Sequence, residues 1–157
     1  MPPFARSFSE HLRNLVVPAF AEAGFAFDGS RTFRRLPAGT PYAQIINFQL
    51  GERFMAGKFT VNLAVYNPDD AAARVEPKLA LEYHCSARLR QRLGFLVPRR
   101  LGVFARLPVL GLFALPRDQW WRAGKPKTIE KAKEAVFSYG LAWLDSNTPN
   151  QAMEPPR

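Results

Sequence analysis

The sequence predicts a two-layer α+β domain, in which N-terminal and C-terminal helices pack on an antiparallel sheet of four to five strands. Apolar residues recur at helical spacing near both ends of the chain, and polar and apolar residues alternate in its middle. The chain has 157 residues, of which 47% are hydrophobic. This is enough apolar material for a single domain with a core, which we expect to span residues 1–146.

The two helices are indicated by apolar stripes at residues 8–23 and 129–146. Ser7 and Glu10 form a capping box, which predicts that the first helix begins there. Pro18 lies inside the first stripe and removes one backbone hydrogen bond. It therefore predicts a kink or the start of a second helical segment.

Two strands, at residues 42–50 and 58–66, carry the sharpest pattern in the sequence. Apolar side chains fall on one face of each strand and polar side chains on the other. If the strands form a hairpin, one family of registers is favoured, because a slip of one residue would place apolar groups opposite polar ones. The exposed face then presents a polar row that consists of Asn47 opposite Asn62 and Gln49 opposite Thr60.

The three amides of this row are unusual, since Asn and Gln are poor strand formers. One interpretation is a recognition surface of amide donors and acceptors. The other is an ordinary solvent face, or amides that hydrogen bond a segment crossing the sheet.

Four other segments carry local signals. Residues 25–36 predict a tight hairpin, because Asp28-Gly29 suits its turn. Residues 82–93 contain the alternating run Arg88–Leu93, which fits a strand with basic residues on one side, with a helix as the alternative. Residues 95–116 are apolar and Arg-rich, and form either a buried insertion or an exposed loop that docks on a partner or a membrane surface. Residues 147–157 are expected to be a disordered tail.

Positive charge is concentrated in one window of the chain. The net charge is +9, and residues 88–127 contain ten basic residues and one acid, Asp118. Such a field favours anionic partners, which include nucleic acid, an acidic protein and anionic lipid. The alternative interpretation is that arginine is spread over a solvated surface.

The sequence predicts no catalytic residue, no metal site and no cofactor. Its histidines are His11 and His84, and no spaced cluster of histidine and cysteine supplies metal ligands. Glu82 and His84 would share a face of a strand, and are the one acid–histidine pair with that spacing. The single Cys85 favours a reducing, cytoplasmic location, and no transmembrane segment or signal peptide is predicted.

These observations lead to three hypotheses. The first is a non-catalytic module that docks on another protein. The second is a nucleic-acid-binding protein whose basic residues in the 88–127 window contact phosphates while Trp120 or Trp121 stacks on bases. The third is an enzyme with an unrecognised site. The candidate binding residues are Asn47, Gln49, Thr60, Asn62, Arg88, Arg90, Arg92, Arg99, Arg100, Arg106, Trp120 and Trp121.

The order of segments resembles a known family. A helix that ends at Gly24-Phe25 is followed by the strands and motifs that carry the resemblance. These are Thr32–Arg35, Gln44–Gln49, Lys58–Leu63, the Arg-rich Cys85–Gly94, Trp120-Trp121 and a terminal helix. This order is similar to that of the bacterial family called domain of unknown function 4304, over roughly Phe8 to Leu144. The resemblance implies the same fold and the polar row, and it brings no established activity.

Overall fold

The computed structural model describes residues 3–98 and 118–149. Arg99, Arg100, Arg106, most of the predicted insertion and the tail from residue 150 lie outside the described residues. Within the described ranges, no helix is long and apolar enough to cross a membrane. The helices are α1 (Pro3–Leu15), α2 (Val17–Glu22), α3 (Leu93–Leu96), α4 (Pro126–Ala135) and α5 (Leu141–Asn147). The strands are β1 (Ala26–Phe27), β2 (Thr32–Arg35), β3 (Ala43–Leu50), β4 (Lys58–Tyr66), β5 (Arg90–Arg92) and β6 (Trp121–Arg122).

The strands form one antiparallel sheet in the order β1-β2-β3-β4-β5, and β6 pairs with the start of β4. The α+β prediction is confirmed, with six strands in the described residues. The register of β3 and β4 is the predicted one, since Asn47 pairs with Asn62 and Gln49 with Thr60. The alternation selects this register because any odd slip would turn the apolar side chains out of the core.

The N-terminal helix begins earlier than its capping box predicts. The first helix starts at Pro3, so Ser7 lies inside α1 and does not cap it. The apolar face extends back to Phe4, which packs against the core and lengthens the helix. The prediction at Pro18 is confirmed, because α1 ends at Leu15 and α2 carries this proline in its first turn.

The helices cover one face of the sheet and form a core rich in phenylalanine. Phe20 and Phe33 have ring centroids 4.8 Å apart, and Phe8 and Phe59 have theirs 4.9 Å apart. Trp121 stacks on Phe59 at 5.7 Å. Close-packed aromatic rings of this kind contribute strongly to a core because each buries a large apolar area.

The second face of the sheet is only half covered. Residues 67–89, which we call the cover, fold over one end of this face and bring Ala80 and Cys85 onto the sheet. The hydroxyl of Tyr66 donates to the carbonyl of Val75 at 2.8 Å and accepts from its N–H at 2.9 Å. The sheet residues beneath the cover are Ala43, Ile45, Ala64 and Tyr66. We call the remainder of this face, which contains Asn47, Gln49, Thr60 and Asn62, the open half.

The strand predicted for the alternating run Arg88–Leu93 is confirmed in part. Only Arg90–Arg92 form a strand, and Glu82–His84 and Ala87–Leu89 are 3₁₀ turns. The reason is that this segment crosses the face of the sheet as part of the cover, with Cys85 buried beneath it, before it reaches the edge beside β4.

Candidate functional site

A cleft of about 420 Å³ lies on the open half, beside the end of the cover. The sheet supplies Gln49 and Asn62, the cover supplies Glu82 and Tyr83, and β5 supplies Arg90. A second cleft of about 410 Å³ adjoins the first, since Gln49 and Arg92 line both. Phe54, Met55 and Trp120 are among the residues that line the second cleft.

Two side-chain hydrogen bonds organise the amides of the predicted row. Asn62 Nδ2 donates to Gln49 Oε1 at 2.8 Å, and Asn47 Nδ2 donates to Thr32 Oγ1 at 3.0 Å. Asn47 is therefore turned toward the buried Thr32, whereas the Asn62–Gln49 pair lines the first cleft. This pair leaves the Gln49 Nε2 donors and the Asn62 Oδ1 acceptor without a partner among the described residues.

Two of the predicted binding residues lie in the interior. Thr60 is 0% exposed, and Trp121 is 4% exposed. Trp121 lies in the core beneath the helices because β6 returns beside β4 and stacks Trp121 on Phe59, whereas Thr60 is buried on the opposite face of β4. Neither side chain is available to a partner in this structure, so the accessible part of the predicted polar row consists of its amides.

One carboxylate holds the arginine and the tryptophan that border the second cleft. Arg92 Nη1 donates to Asp118 Oδ2 at 2.6 Å, and Trp120 Nε1 donates to the same oxygen at 2.8 Å. The Arg92 guanidinium also lies 5.5 Å from the centre of the Trp120 ring, within range of a cation–π contact. Asp118 therefore orients both side chains toward the open half.

The other two described arginines among the candidate binding residues, Arg88 and Arg90, differ in their contacts. Arg88 donates to Asp70 at 2.7 Å, and this hydrogen bond lowers the pKa of the Asp70 carboxyl. Arg88 lines neither cleft. Arg90 is exposed, lines the first cleft and forms no ion pair with any of the described residues.

Aromatic side chains that the sequence reasoning missed border both clefts. Phe54 in the β3–β4 loop is 90% exposed, and Tyr83 and Phe95 are exposed beside the first cleft. Arg53, which precedes Phe54, has a φ of 51°, a conformation that residues other than glycine rarely adopt. The signal in the sequence was a large aromatic residue inside the short hairpin loop of residues 51–57.

The candidate acid–histidine pair does not converge on a cleft. Glu82 lines the first cleft, but His84 Nδ1 accepts a hydrogen bond from the Leu81 N–H at 3.1 Å. The two residues lie on a 3₁₀ turn, so the shared strand face that motivated the pairing does not exist. His11 is likewise engaged, through a contact of 2.7 Å with the Ser7 carbonyl in its own helix.

The single thiol of the chain, Cys85, lies beneath the cover. Cys85 lies fully buried, and burial raises the pKa of its thiol to about 12. A thiol in this state is a poor nucleophile at neutral pH. Across residues 3–98 and 118–149, no group of three or more His, Cys, Asp and Glu side chains could hold a metal ion.

A separate polar network has a structural role. Arg35 donates to Asp145 at 2.7 Å, and the buried Gln44 donates to Asp145 at 3.0 Å and to Thr148 at 2.9 Å. Gln44 Oε1 in turn accepts from Arg35 Nε at 2.6 Å. These bonds satisfy the Gln44 amide and fasten the end of α5 to β2 and β3.

Comparison with curated proteins and with solved structures gave no significant match. Comparison with family models gave one that matches residues 16–139, whose description is "Domain of unknown function (DUF4304)". The matched range contains all six strands and the sheet residues that line both clefts. Because this range is more than half of the chain, the protein belongs to the DUF4304 family.

Proposed function

We propose that this protein is a docking module that binds another protein through its open half. The observation that carries the proposal is the exposed Gln49–Asn62 amide pair between exposed aromatic side chains, at the place where the cover ends. Protein interfaces combine aromatic anchors with a small number of hydrogen-bonding groups. An exposed Phe54 on a strained loop fits such an anchor, because strained backbone is often retained for function.

The charges around the clefts favour a protein partner over nucleic acid. Among the side chains that line the two clefts, Arg90 and Arg92 contribute +2 and Glu52 and Glu82 contribute −2, so their formal charges sum to zero, and Arg92 is also paired with Asp118. Arg88 is also compensated, by Asp70. Nucleic-acid binding rests mainly on uncompensated cations that contact phosphates. Hydrogen bonding and aromatic contacts, which suit a protein partner, dominate this surface.

The test is capture from native lysate with the tagged full chain, with and without nuclease. We compare the wild type with the double variant Gln49→Ala/Asn62→Ala, and use Asn14→Ala as the control, because Asn14 is an exposed amide on α1. The wild type and the control are expected to retain one protein in stoichiometric amount after nuclease treatment. The double variant should lose most of it, because it removes the exposed amide pair.

Two results would contradict this function. Retention of the same partner by the double variant would place the interface elsewhere on the molecule. Loss of all captured material on nuclease treatment would instead favour the nucleic-acid hypothesis, and would direct attention to the basic 88–127 window.

A further inference from the structure

Two adjoining clefts lie along β4, and Gln49 and Arg92 line both of them. Together we call them the groove. Along β4 the groove extends from the row of Ala64 and Arg90, at the edge of the cover, to the row of Gln49 and Thr60. These rows are four residues apart on β4, which corresponds to about 13 Å at about 3.3 Å per residue.

The exposed amide pair suits a ligand with free backbone groups. Gln49 Nε2 offers donors and Asn62 Oδ1 offers an acceptor, side by side on the floor of the first cleft. The peptide groups inside a helix already hydrogen bond to one another, whereas an extended peptide presents free N–H and C=O groups. The amide pair therefore matches an extended segment better than a helical one.

The two ends of the groove differ in chemistry. At the end nearest the β3–β4 loop, Phe54, Met55 and Trp120 form a largely apolar wall. At the other end, Arg90 is exposed and without an ion pair among the described residues. Glu82 stands at the same end and is less exposed than Arg90. Because Arg90 is the more exposed of the two and has no ion pair among the described residues, it favours an acidic residue of the ligand at this end.

We propose, on the basis of the proposed docking function, that the groove binds an extended peptide segment of a partner protein with two anchors. One anchor is an apolar or aromatic side chain against Phe54 and Trp120, and the other is a carboxylate that pairs with Arg90. Both side chains point toward the same sheet face, so their spacing in the partner is an even number of residues, about four to six.

The experiment is selection from a library of random dodecapeptides displayed on phage, carried out with the full chain. The wild type is expected to enrich peptides in which an acidic residue and an apolar residue stand at even spacing. Arg90→Glu should reverse the preference at the acidic position toward lysine or arginine, by about tenfold or more. Phe54→Ala should remove the apolar preference and leave the acidic one.

Arg88→Glu is the matched control, because Arg88 is exposed and close in sequence but lines neither cleft. Its peptide preferences should equal those of the wild type. Thermal unfolding of each variant establishes that it folds, and all three substituted side chains are exposed.

The proposal is overturned if no peptide is enriched, or if the acidic preference survives Arg90→Glu. In either case the docking function is judged separately, by whether Gln49→Ala/Asn62→Ala abolishes capture of the partner from lysate. If capture from lysate depends on the amide pair but no peptide is enriched from the library, the open half binds a folded surface and not an extended segment.

Discussion

The covered half and the open half of the second sheet face are formed by the same strands but present different side chains. Beneath the cover, β3 and β4 present Ile45 and Ala64, which are fully buried against Cys85 and its neighbours. On the same face, the next pair of residues toward the open half is Asn47 on β3 and Asn62 on β4. The change from apolar to amide side chains coincides with the end of the cover. Asn and Gln are poorer strand formers than Thr, so their position in the open half supports the proposed recognition surface.

The difference between the halves also concerns how their polar groups are satisfied. In the covered half, the Tyr66 hydroxyl both donates to and accepts from the backbone of Val75. In the open half, the Gln49–Asn62 pair satisfies only part of its hydrogen-bonding capacity with described residues. The chain itself therefore satisfies the Tyr66 hydroxyl in the covered half, whereas donors and an acceptor of the amide pair in the open half have no partner among the described residues.

The largest difference that we expect concerns the reactivity of thiols in the two halves. Burial raises the pKa of Cys85 to about 12, so its thiolate population near pH 8 should be about a thousandfold below that of an exposed cysteine. We predict that a thiol reagent labels Cys85 slowly, at a rate limited by opening of the native state. A cysteine introduced by Gln49→Cys should react rapidly in the same protein. Rapid labelling of Cys85 would show that the cover does not protect this half.

The raised pKa of Cys85 also has a consequence for stability. A raised folded-state pKa means that folding favours the protonated thiol. The contribution of this thiol to the free energy of unfolding is fully present below the unfolded-state pKa of about 8.5, and it is lost as the pH rises toward about 12. The free energy of unfolding should therefore decrease across this alkaline range, and Cys85→Ala should remove this part of the decrease.

A smaller difference is expected between truncations in the two halves. Ile45→Ala should lower the free energy of unfolding by about 2–5 kcal/mol, because it opens a cavity beneath the cover. Gln49→Ala on the same strand face should change it by about 0.5 kcal/mol or less, since Gln49 is exposed. Denaturant unfolding of both variants measures the two values. Similar losses would mean that the open half is also part of the packed structure.

Much of the fold could be predicted because it depends on local pattern. The alternation in residues 42–50 and 58–66 predicted the register that places Asn47 opposite Asn62, and the amide pair lies where that register puts it. The pattern of side chains along β4 also indicates that one end of this face is covered. The polar positions of β4 end at Asn62, and Ala64 and Tyr66 continue the same face with side chains that require burial.

The errors concern contacts between segments that are distant in the chain. Thr60 was expected on the exposed face but is fully buried, and Trp121, one of the two tryptophans considered for stacking on bases, lies in the core because β6 returns beside β4. The exposure of Phe54 was missed because a loop phenylalanine is exposed only if no other segment packs on it, which alternation cannot reveal. The ion pair between Arg92 and Asp118 likewise depends on two segments that meet only in the folded chain.

The most direct test of the open half as a docking surface is photo-crosslinking in native lysate. A benzophenone amino acid is placed at position 54 in one variant and at position 79 in another, since Phe54 and Leu79 are both large, exposed apolar residues. Phe54 borders the open half, whereas Leu79 lies on the cover. We predict one abundant protein adduct from position 54 and none from position 79. Equal adducts from both positions, or an adduct from position 79 alone, would contradict the account.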